Sequence, residues 1–520
     1  MEKLKNIFLY SGDSPLLFTQ MYFWIFFFIV FSIFALVYNK KLFRSTYLFA
    51  ISLFFYWKSG GHFFILLLFT TVLDYNIGNL TYKAKTRQLK KLWVAISIIL
   101  NLGILAYFKY TEFFVDIVNL VLNTNFKVIN IAAQWANNGL GTSFDVTKFI
   151  IPVGISFYTF QSLSYVLDIS KGKLKPVKNI LEYGFYVTFN FLSYCLFVTF
   201  FPQLVAGPIV RASEFIPQLY KKYQLTKDEV NFALFLILNG LMKKMIISDY
   251  ISYNFVERVF DAPLSFTGFE NLMAVYGFGI QIYCDFSGYT DVAIGVALLL
   301  GFRLPLNFNS PYKAENITDF WKRWHISLTM WFRDYLFLPI AFKVSRVLKS
   351  QKYLGIKTEY YIYLFAGLIT FLLTGLWHGA AWRYLIWGGI HGLALVLHRF
   401  WTGYVPKKTR KKYFSHLLSV FITFNLVSFA WIFFRAKEMI IVQQMLVQIF
   451  SSYSWALIPT IFVSYWQVFA LMIAAYIIHW LPTTFKSKYI NWFKATPVWA
   501  KLAIVILVVF VCYQAKSADV

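Results

Sequence analysis

Charged side chains and cysteines are both scarce in this chain. Only 14% of its 520 residues are Asp, Glu, Lys or Arg, well below the roughly 25% that is typical of soluble domains. The three cysteines lie in apolar segments far from one another, which excludes a disulfide framework or a thiolate metal cluster. The sequence also has no His-Glu-x-x-His, phosphate-loop or Gly-x-Ser-x-Gly motif. ATP-driven transport and a self-contained serine hydrolase therefore lack support, and no metal site is expected.

Long apolar runs, by contrast, recur through the whole length. Hydrophobic residues make up 59% of the chain, and its mean hydropathy is +0.59. Runs of about 17 to 25 residues can each cross the hydrocarbon core as a helix, which satisfies its own backbone hydrogen bonds. The sequence predicts an all-α, polytopic helical membrane protein with about 11 to 14 membrane segments, including re-entrant or interfacial helices. No linker or repeat stands out, so a single membrane domain over residues 1–520 is the economical interpretation.

Basic residues outnumber acidic ones by 49 to 23, which gives a formal net charge of +26. In so apolar a chain, this excess indicates basic cytoplasmic loops beside anionic lipid headgroups, not nucleic-acid binding. The clusters predicted to be cytoplasmic lie at 83–91, 171–178, 343–357, 399–412 and 486–494. The amino terminus, the loop 112–147 and the carboxyl-terminal tail are predicted to lie outside. The first apolar segment has no cleavage site after it and is expected to remain as an anchor.

Polar residues inside apolar segments are informative, because lipid-facing positions exclude them. Two prolines and a glycine break the segment 202–211, which also carries Gln203, and such broken helices line cavities. Asp285 and Asp291, with Ser287 between them, lie within a long apolar stretch and need partners there. Ion pairing that fixes helix packing is one explanation, and a functional site is the other.

The segment 319–328, Asp-Phe-Trp-Lys-Arg-Trp-His-Ile-Ser-Leu, is both aromatic and charged. As a continuous helix it would place Asp319 beside Arg323 and Trp321 beside His325, since residues four apart share a face. An amphipathic helix at the headgroup level explains this composition without catalysis. A helix that lines a site explains it equally well.

His378 follows the apolar run 361–377, in the sequence Leu-Thr-Gly-Leu-Trp-His-Gly. An imidazole at the end of a spanning helix costs free energy in lipid, so His378 is expected to line a polar cavity. Histidine also suits proton transfer near neutral pH. The alternative is a structural histidine bonded to a neighbouring carbonyl. His391, on the next apolar segment, is expected to be a structural hydrogen-bond donor between helices.

Five motifs carry a resemblance to a known family, and they follow one another in the family's order. They are Pro-Val-Gly-Ile-Ser-Phe-Tyr-Thr-Phe-Gln at 152–161, Phe-Pro-Gln-Leu-Val-Ala-Gly-Pro at 201–208, Tyr-Cys-Asp-Phe-Ser-Gly-Tyr at 283–289, Asp-Phe-Trp-Lys-Arg-Trp-His-Ile-Ser at 319–327 and Gly-Leu-Trp-His-Gly at 375–379. Together they resemble the membrane-bound O-acyltransferases, specifically the bacterial branch of alginate and peptidoglycan O-acetyltransferase membrane subunits. The core that bears these motifs spans about residues 150–400.

The resemblance implies a many-helix fold around a tunnel, with His378 as the catalytic histidine and His325 as a second histidine of the site. A general base would take the proton of the accepting hydroxyl. The oxyanion would need donors, such as the indole N–H of Trp377 or Trp382, or His325. The residues expected to line the tunnel or contact substrate are Trp377, Trp382, Trp321, Trp324, Arg323, Asp319, Gln203, Asp285, Ser287 and His391.

By the same resemblance, acetyl-CoA is the expected donor, no cofactor is tightly bound, and the glycan acceptor lies beyond a bacterial cytoplasmic (inner) membrane. A separate extracytoplasmic partner of the SGNH type is expected to complete the transfer. Within the same family, D-alanyl transfer to teichoic acid is the alternative. A transporter or flippase for a lipid-linked sugar would need the broken helices and the buried carboxylates, but not His378. A catalytically silent scaffold is a third alternative.

Overall fold

The computed structural model describes residues 16–174, 185–204, 207–405 and 415–517. Within these ranges helices dominate, and the strands Lys352–Tyr353 and Ile356–Lys357 form one short antiparallel pair. The protein is an all-α polytopic membrane protein, as predicted from the apolar runs. Parts of the predicted amino-terminal segment, of the basic clusters 171–178 and 399–412, of the broken segment 202–211 and of the carboxyl-terminal tail lie outside the described residues.

Six helical segments of the described ranges are long and apolar enough to cross a membrane. They are Lys41–Lys83, Arg87–Leu122, Lys227–Asp261, Gly268–Leu299, Thr358–His378 and His416–Arg435. Two bent pairs raise the number to eight if each pair is one span, namely Met439–Ser451 with Trp455–Ser464 and Trp466–Trp480 with Thr483–Ala495. The apolar stretch 331–342 is not among these candidate spans.

The chain divides into two compact units. The first comprises Met1–Val205, Ile209–Tyr223 and Gly379–Ala381. Its helices are Met21–Val37, Lys41–Gly60, Gly61–Phe63, Phe64–Lys83, Arg87–Leu122, Ile131–Leu140, Ile155–Ser170, Phe185–Thr199, Phe201–Leu204 and Ala212–Leu219. Inside it, the fully buried carboxylate of Asp74 accepts hydrogen bonds from Ser97 Oγ at 2.7 Å and Asn101 Nδ2 at 2.8 Å. These bonds satisfy a polar group that a spanning helix could not leave in lipid.

The second unit comprises Ala206–Pro208, Gln224–His378 and Trp382–Val520. Its helices up to the strands are Lys227–Leu241, Met242–Ser248, Asp249–Ile251, Ser252–Val256, Glu257–Asp261, Pro263–Ser265, Gly268–Leu299, Pro311–Lys313, Ile317–Arg323, Ile326–Phe332, Arg333–Phe337 and Leu338–Val347. Those after the strands are Thr358–His378, Trp382–Tyr404, His416–Arg435, Met439–Ser451, Trp455–Leu457, Ile458–Ser464, Trp466–Trp480, Thr483–Ala495 and Val498–Ser517.

The central element of the second unit is the long helix Gly268–Leu299. Thr267 and Glu270 form a capping box at its start, which satisfies two backbone N–H groups that have no partner within the helix. Further along, a Cβ at Gly288 would lie 2.7 Å from the backbone oxygen of Gly240. Only glycine therefore lets the helix Lys227–Leu241 pack this closely against the long helix.

Candidate active site

His378 is the last residue of the helix Thr358–His378, which packs against the next helix, Trp382–Tyr404. We call this pair the motif hairpin. Its two helices approach closely because a Cβ on Gly375 or Gly388 would collide with a backbone carbonyl of the opposite helix. The close packing brings the half-buried imidazole of His378 against the indole of Trp387, with ring centroids 5.1 Å apart.

His325 lies in the turn between the helices Ile317–Arg323 and Ile326–Phe332, with a positive φ of 42°. A left-handed backbone is uncommon for residues other than glycine, and histidine is among those that adopt it more often. The imidazole is only 2% exposed. Its Nδ1 lies 3.0 Å from Oδ1 of Asn307.

Asn307 determines which nitrogen of His325 carries the proton. The backbone N–H of Ser327 donates to Asn307 Oδ1 at 3.2 Å, and a backbone N–H can only donate, so this atom is the amide oxygen. Nδ1 of His325 must therefore donate to it, which leaves Nε2 with a free lone pair. Burial also lowers the pKa of His325 from 6.5 to about 3, so the ring is neutral at neutral pH.

Trp377 lies between the two histidines. Its ring centroid is 4.8 Å from that of His378 and 6.5 Å from that of His325. Two histidines far apart in sequence thus lie on either side of one indole in the second unit. Trp324, beside His325, packs instead against Trp431, with ring centroids 5.0 Å apart.

A column of rings continues inward from His378. Trp387 contacts His391 at 4.8 Å, and His391 contacts Trp321 at 5.1 Å between ring centroids. His391 is fully buried, and neither of its nitrogens has a hydrogen-bond partner among the described residues. The prediction that His391 donates a hydrogen bond between helices is therefore wrong within the described residues. A polar group that the side chains do not supply, either water or substrate, would satisfy these atoms.

The continuous helix predicted over 319–328 is wrong, because the helix ends at Arg323. Trp324 is extended and His325 is left-handed, so Trp321 and His325 do not share a helical face. The predicted pair within the helix is confirmed, since Arg323 Nε donates to Asp319 Oδ2 at 2.9 Å. Both side chains are about a third exposed, so the pair stabilises the turn only weakly.

Both carboxylates of the long helix have lysine partners. Asp285 lies 2.5 Å from Lys244 Nζ, and Asp291 lies 2.6 Å from Lys243 Nζ. Lys243 Nζ is also 3.4 Å from the hydroxyl of the buried Ser287. The lysines come from the π-helical turn Met242–Ser248. The predicted ion pairing is confirmed, and two adjacent lysines in an apolar segment were the signal that could have identified the partners.

Two other predicted residues remain, one in each unit. Gln203 belongs to the first unit, where it is fully buried and donates from Nε2 to the backbone oxygen of Phe197 at 2.5 Å. Trp382 begins the second helix of the motif hairpin and is 53% exposed.

Two cavities of the second unit border the rings. The charged cavity, of about 440 Å³, is lined by Arg383, Asp285 and Phe434, among others, and the Phe434 ring packs on His378 at 5.1 Å. The apolar cavity, of about 270 Å³, is lined by Trp321, Phe371 and Lys322, among others. Since Trp321 contacts His391, the ring column lies between the two cavities. Two separate ligands could thus approach one cluster of histidines from different sides.

A sequence profile of the membrane-bound O-acyltransferase family matches residues 137–437. This region contains both histidines and both cavities. The chain belongs to this family. The motif-bearing core predicted at about 150–400 lies within the match, and the protein is a multi-pass membrane O-acyltransferase.

Named relatives of this acyltransferase fall into three activities. The chain is 35% identical over 418 residues to the peptidoglycan O-acetyltransferase of Helicobacter pylori, covering 77% of this chain and 72% of the relative. It is 33% identical over 389 residues to a probable alginate O-acetylase of Azotobacter vinelandii, covering 74% and 68%. It is 31% identical over 299 residues to the teichoic acid D-alanyltransferase of Bacillus subtilis, covering 55% and 69%.

Asn307, which bonds His325, is a residue that the motifs did not indicate. It lies in a non-helical loop, 18 residues before His325. A single asparagine in a loop carries no sequence pattern, so only the folded chain shows its role. Phe434 and Arg383 were missed for the same reason, because a cavity is a property of packing and not of spacing.

Proposed function

We propose that this acyltransferase, in a bacterial cytoplasmic membrane, passes an acetyl group from the thioester of acetyl-CoA toward an extracytoplasmic polysaccharide or peptidoglycan. His378 is the general base. The observation that supports this most directly is its half-buried imidazole at the end of a spanning helix, next to the charged cavity through Phe434. A base must be reachable by its substrate and still be partly shielded from water.

In the proposed reaction, His378 takes the proton of the acceptor hydroxyl as that oxygen attacks the thioester carbonyl. The carbon–sulfur bond then breaks, and the departing thiolate takes the proton back from the imidazolium. The apolar cavity is the place proposed for the thioester arm, because its lining is mainly hydrophobic with Lys322 and Arg333 nearby for phosphate. The acceptor approaches through the charged cavity.

His325 has a different role from the one first expected. Its Nδ1–H donates to Asn307, and its neutral Nε2 carries a lone pair, so the ring has no N–H to offer to an oxyanion. In this proposal His325 accepts a hydrogen bond and orients a reacting group, while the indole of Trp377 between the histidines is the oxyanion donor.

The glycan is proposed from the relatives, of which one acts on peptidoglycan and another on alginate. An extracytoplasmic SGNH-type protein is proposed as the partner that completes the transfer. D-alanyl transfer to teichoic acid is the second candidate, and the Bacillus subtilis relative favours it over just 55% of this chain.

The test uses purified protein in nanodiscs with radiolabelled acetyl-CoA, and scores release or transfer of acetyl. We expect His378→Ala to lower turnover by a factor of about 100 or more, the usual contribution of a general base. His416→Ala is the matched control, since His416 is exposed and pairs with Glu315 outside the ring column. Undiminished turnover in His378→Ala would remove the assignment of His378 as the general base, whereas sugar transport in proteoliposomes without any acyl donor would favour the lipid-linked sugar transporter. A D-alanyl carrier thioester as the only accepted donor would favour the second candidate.

A further inference from the structure

Two lysines of the second unit meet at the bend that follows the helix Trp466–Trp480, where the chain turns by 99°. Lys486, just beyond the bend, donates to Ser310 Oγ at 2.7 Å. Lys313, on the segment that carries Ser310, donates in turn to the backbone oxygen of Leu481 at 2.6 Å. Each lysine thus contacts the segment to which the other belongs. We call Lys313 and Lys486 the lysine pair.

The charges of the lysine pair are not neutralised by the protein around them. Within the part of the chain that the structure describes, both ammonium groups bond to uncharged oxygens, and no carboxylate pairs with either. Two further cations act on the same region, and each has its own carboxylate. Arg323 lies 2.9 Å from Asp319, and Lys243 lies 2.6 Å from Asp291. The lysine pair therefore leaves two positive charges that the described residues do not offset.

His479, beside the lysine pair, supplies neither a negative charge nor an acceptor. The backbone N–H of Tyr312 donates to His479 Nε2 at 3.1 Å, so Nε2 holds the lone pair and Nδ1 carries the hydrogen. The ring is therefore neutral. Its Nδ1 is buried and has no hydrogen-bond partner among the described residues. A donor without an acceptor thus lies next to two charges without a counterion.

The helix ends at the bend do not supply the missing charge. Lys486 also donates to the backbone oxygen of His479 at 3.0 Å, so the lysine pair satisfies carbonyls at the end of Trp466–Trp480. The partial negative charge of this end is opposed by the partial positive charge at the start of Thr483–Ala495. An ammonium group has three N–H donors, of which Lys313 uses one and Lys486 two in these bonds. Donors and charge both remain for an anion.

We propose that the lysine pair binds a phosphate group. Both side chains are half-buried, so a ligand can reach them while part of each ammonium group is shielded from water. A tetrahedral phosphate can accept from two separate ammonium groups at once, and lysine binds phosphate as a point charge. A carboxylate is matched better by the planar fork of an arginine, and the nearby Arg323 is already paired with Asp319.

The position of the lysine pair agrees with this ligand. Lys486 is the first residue of the basic cluster 486–494, which is predicted to face the cytoplasm. Anionic phospholipid headgroups lie at that surface, and soluble phosphate compounds reach it from the same side. The linings of the charged and the apolar cavities contain neither lysine, so this site is separate from both. The inference involves no acyl-transfer step and does not rest on the proposed function.

The experiment measures binding by the purified protein in a non-ionic detergent, which carries no phosphate of its own. The unfolding temperature is followed against the concentration of two probes, inorganic phosphate and the short-chain lipid dioctanoylphosphatidylglycerol. Dioctanoylglycerol, which lacks the phosphate, and succinate, a dicarboxylate, are the comparison ligands. We expect at least one phosphate probe to stabilise the protein. Lys313→Gln and Lys486→Gln should each weaken its binding by about tenfold or more.

Glutamine keeps an N–H donor for the carbonyl at the bend, so both variants should fold. Lys488→Gln is the matched control, because it removes the same charge from an exposed position of the same helix. Stabilisation by the lipid alone assigns the site to a headgroup, and stabilisation by inorganic phosphate assigns it to a soluble ligand. The inference is overturned if neither probe stabilises the parent protein, or if succinate or dioctanoylglycerol acts equally well. Unchanged binding in both lysine variants, or an equal loss in Lys488→Gln, also overturns it.

Discussion

The carboxylates of the membrane helices find their partners in different ways in the two units. In the first, Asp74 is enclosed by the neutral donors Ser97 and Asn101 and is fully buried. In the second, Asp285 pairs with a charged lysine and lines a cavity, with its side chain 46% exposed. The first arrangement has no access for a ligand, whereas the second does. A carboxylate in a spanning helix therefore indicates function only when an accessible cavity accompanies it.

The largest expected effect on stability is at Asp74, and it tests whether the carboxylate of the first unit is purely structural. Asp74→Ala leaves the buried donors Ser97 and Asn101 without their acceptor, which should cost about 1 to 3 kcal/mol of unfolding free energy. Thermal unfolding in detergent measures the loss. Turnover per folded molecule should stay unchanged, with Asp285→Asn as the matched variant whose turnover falls. An Asp74→Ala protein that is fully stable, or folded but inactive, would break the comparison.

The next effect concerns Asn307, a positioning residue. Asn307→Ala removes the acceptor that keeps the proton on Nδ1 of His325, and turnover should fall by about tenfold to a hundredfold, as for other residues that orient a catalytic histidine. Asn307→Asp keeps the acceptor and should restore part of the rate. It should also shift the pH profile, because a carboxylate raises the pKa of His325. An unchanged turnover in Asn307→Ala would contradict the idea that the reaction needs the proton of His325 to stay on Nδ1.

The pKa of His325 predicts a third effect, on stability against pH. The folded protein holds His325 neutral down to pH about 3, whereas the unfolded chain protonates it near pH 6.5. The unfolded state thus binds more protons in this window, so stability falls as the pH decreases, by about 1.4 kcal/mol per pH unit from this residue. His325→Gln should flatten the dependence of the unfolding temperature on pH between about 6 and 4. An equal slope in both proteins would show that His325 is not buried as described.

The smallest expected effect is at the partly exposed pair of Arg323 and Asp319. Arg323→Gln should reduce the unfolding free energy by less than about 1 kcal/mol, because solvent screens the pair. Thermal unfolding of the Arg323→Gln and Asp74→Ala proteins under the same conditions compares the two losses of stability. A loss as large as that of Asp74→Ala would mean that exposure does not separate the two kinds of polar group.

The sequence predicted the helical membrane fold and the position of His378 well. The apolar run 361–377 corresponds closely to the helix Thr358–His378, because a spanning helix must be continuous and apolar. Ion pairing of Asp285 and Asp291 was one of the two explanations that the sequence suggested, since a carboxylate in a membrane helix needs a partner. Their lysines could not be assigned, because they come from a π-helical turn some 40 residues earlier in the chain.

The conformation of His325 could not be predicted. A spacing of four residues favours one helical face for Trp321 and His325. In the structure, Asn307 bonds both to the ring of His325 and to the backbone of Ser327, and this tertiary contact accompanies the left-handed turn. Local pattern cannot reveal a partner that lies in a distant loop. The same limit applies to Arg383, because a cavity lined by side chains of several separate elements leaves no pattern along the sequence.

The ring column has a consequence for the electrical insulation of the membrane. Contacts run without a charged side chain from Phe434 through His378, Trp387 and His391 to Trp321. An ion moving along this column would meet aromatic faces and imidazoles instead of charged side chains, and its desolvation there costs free energy. The column therefore opposes the leakage of ions between the two cavities that it borders.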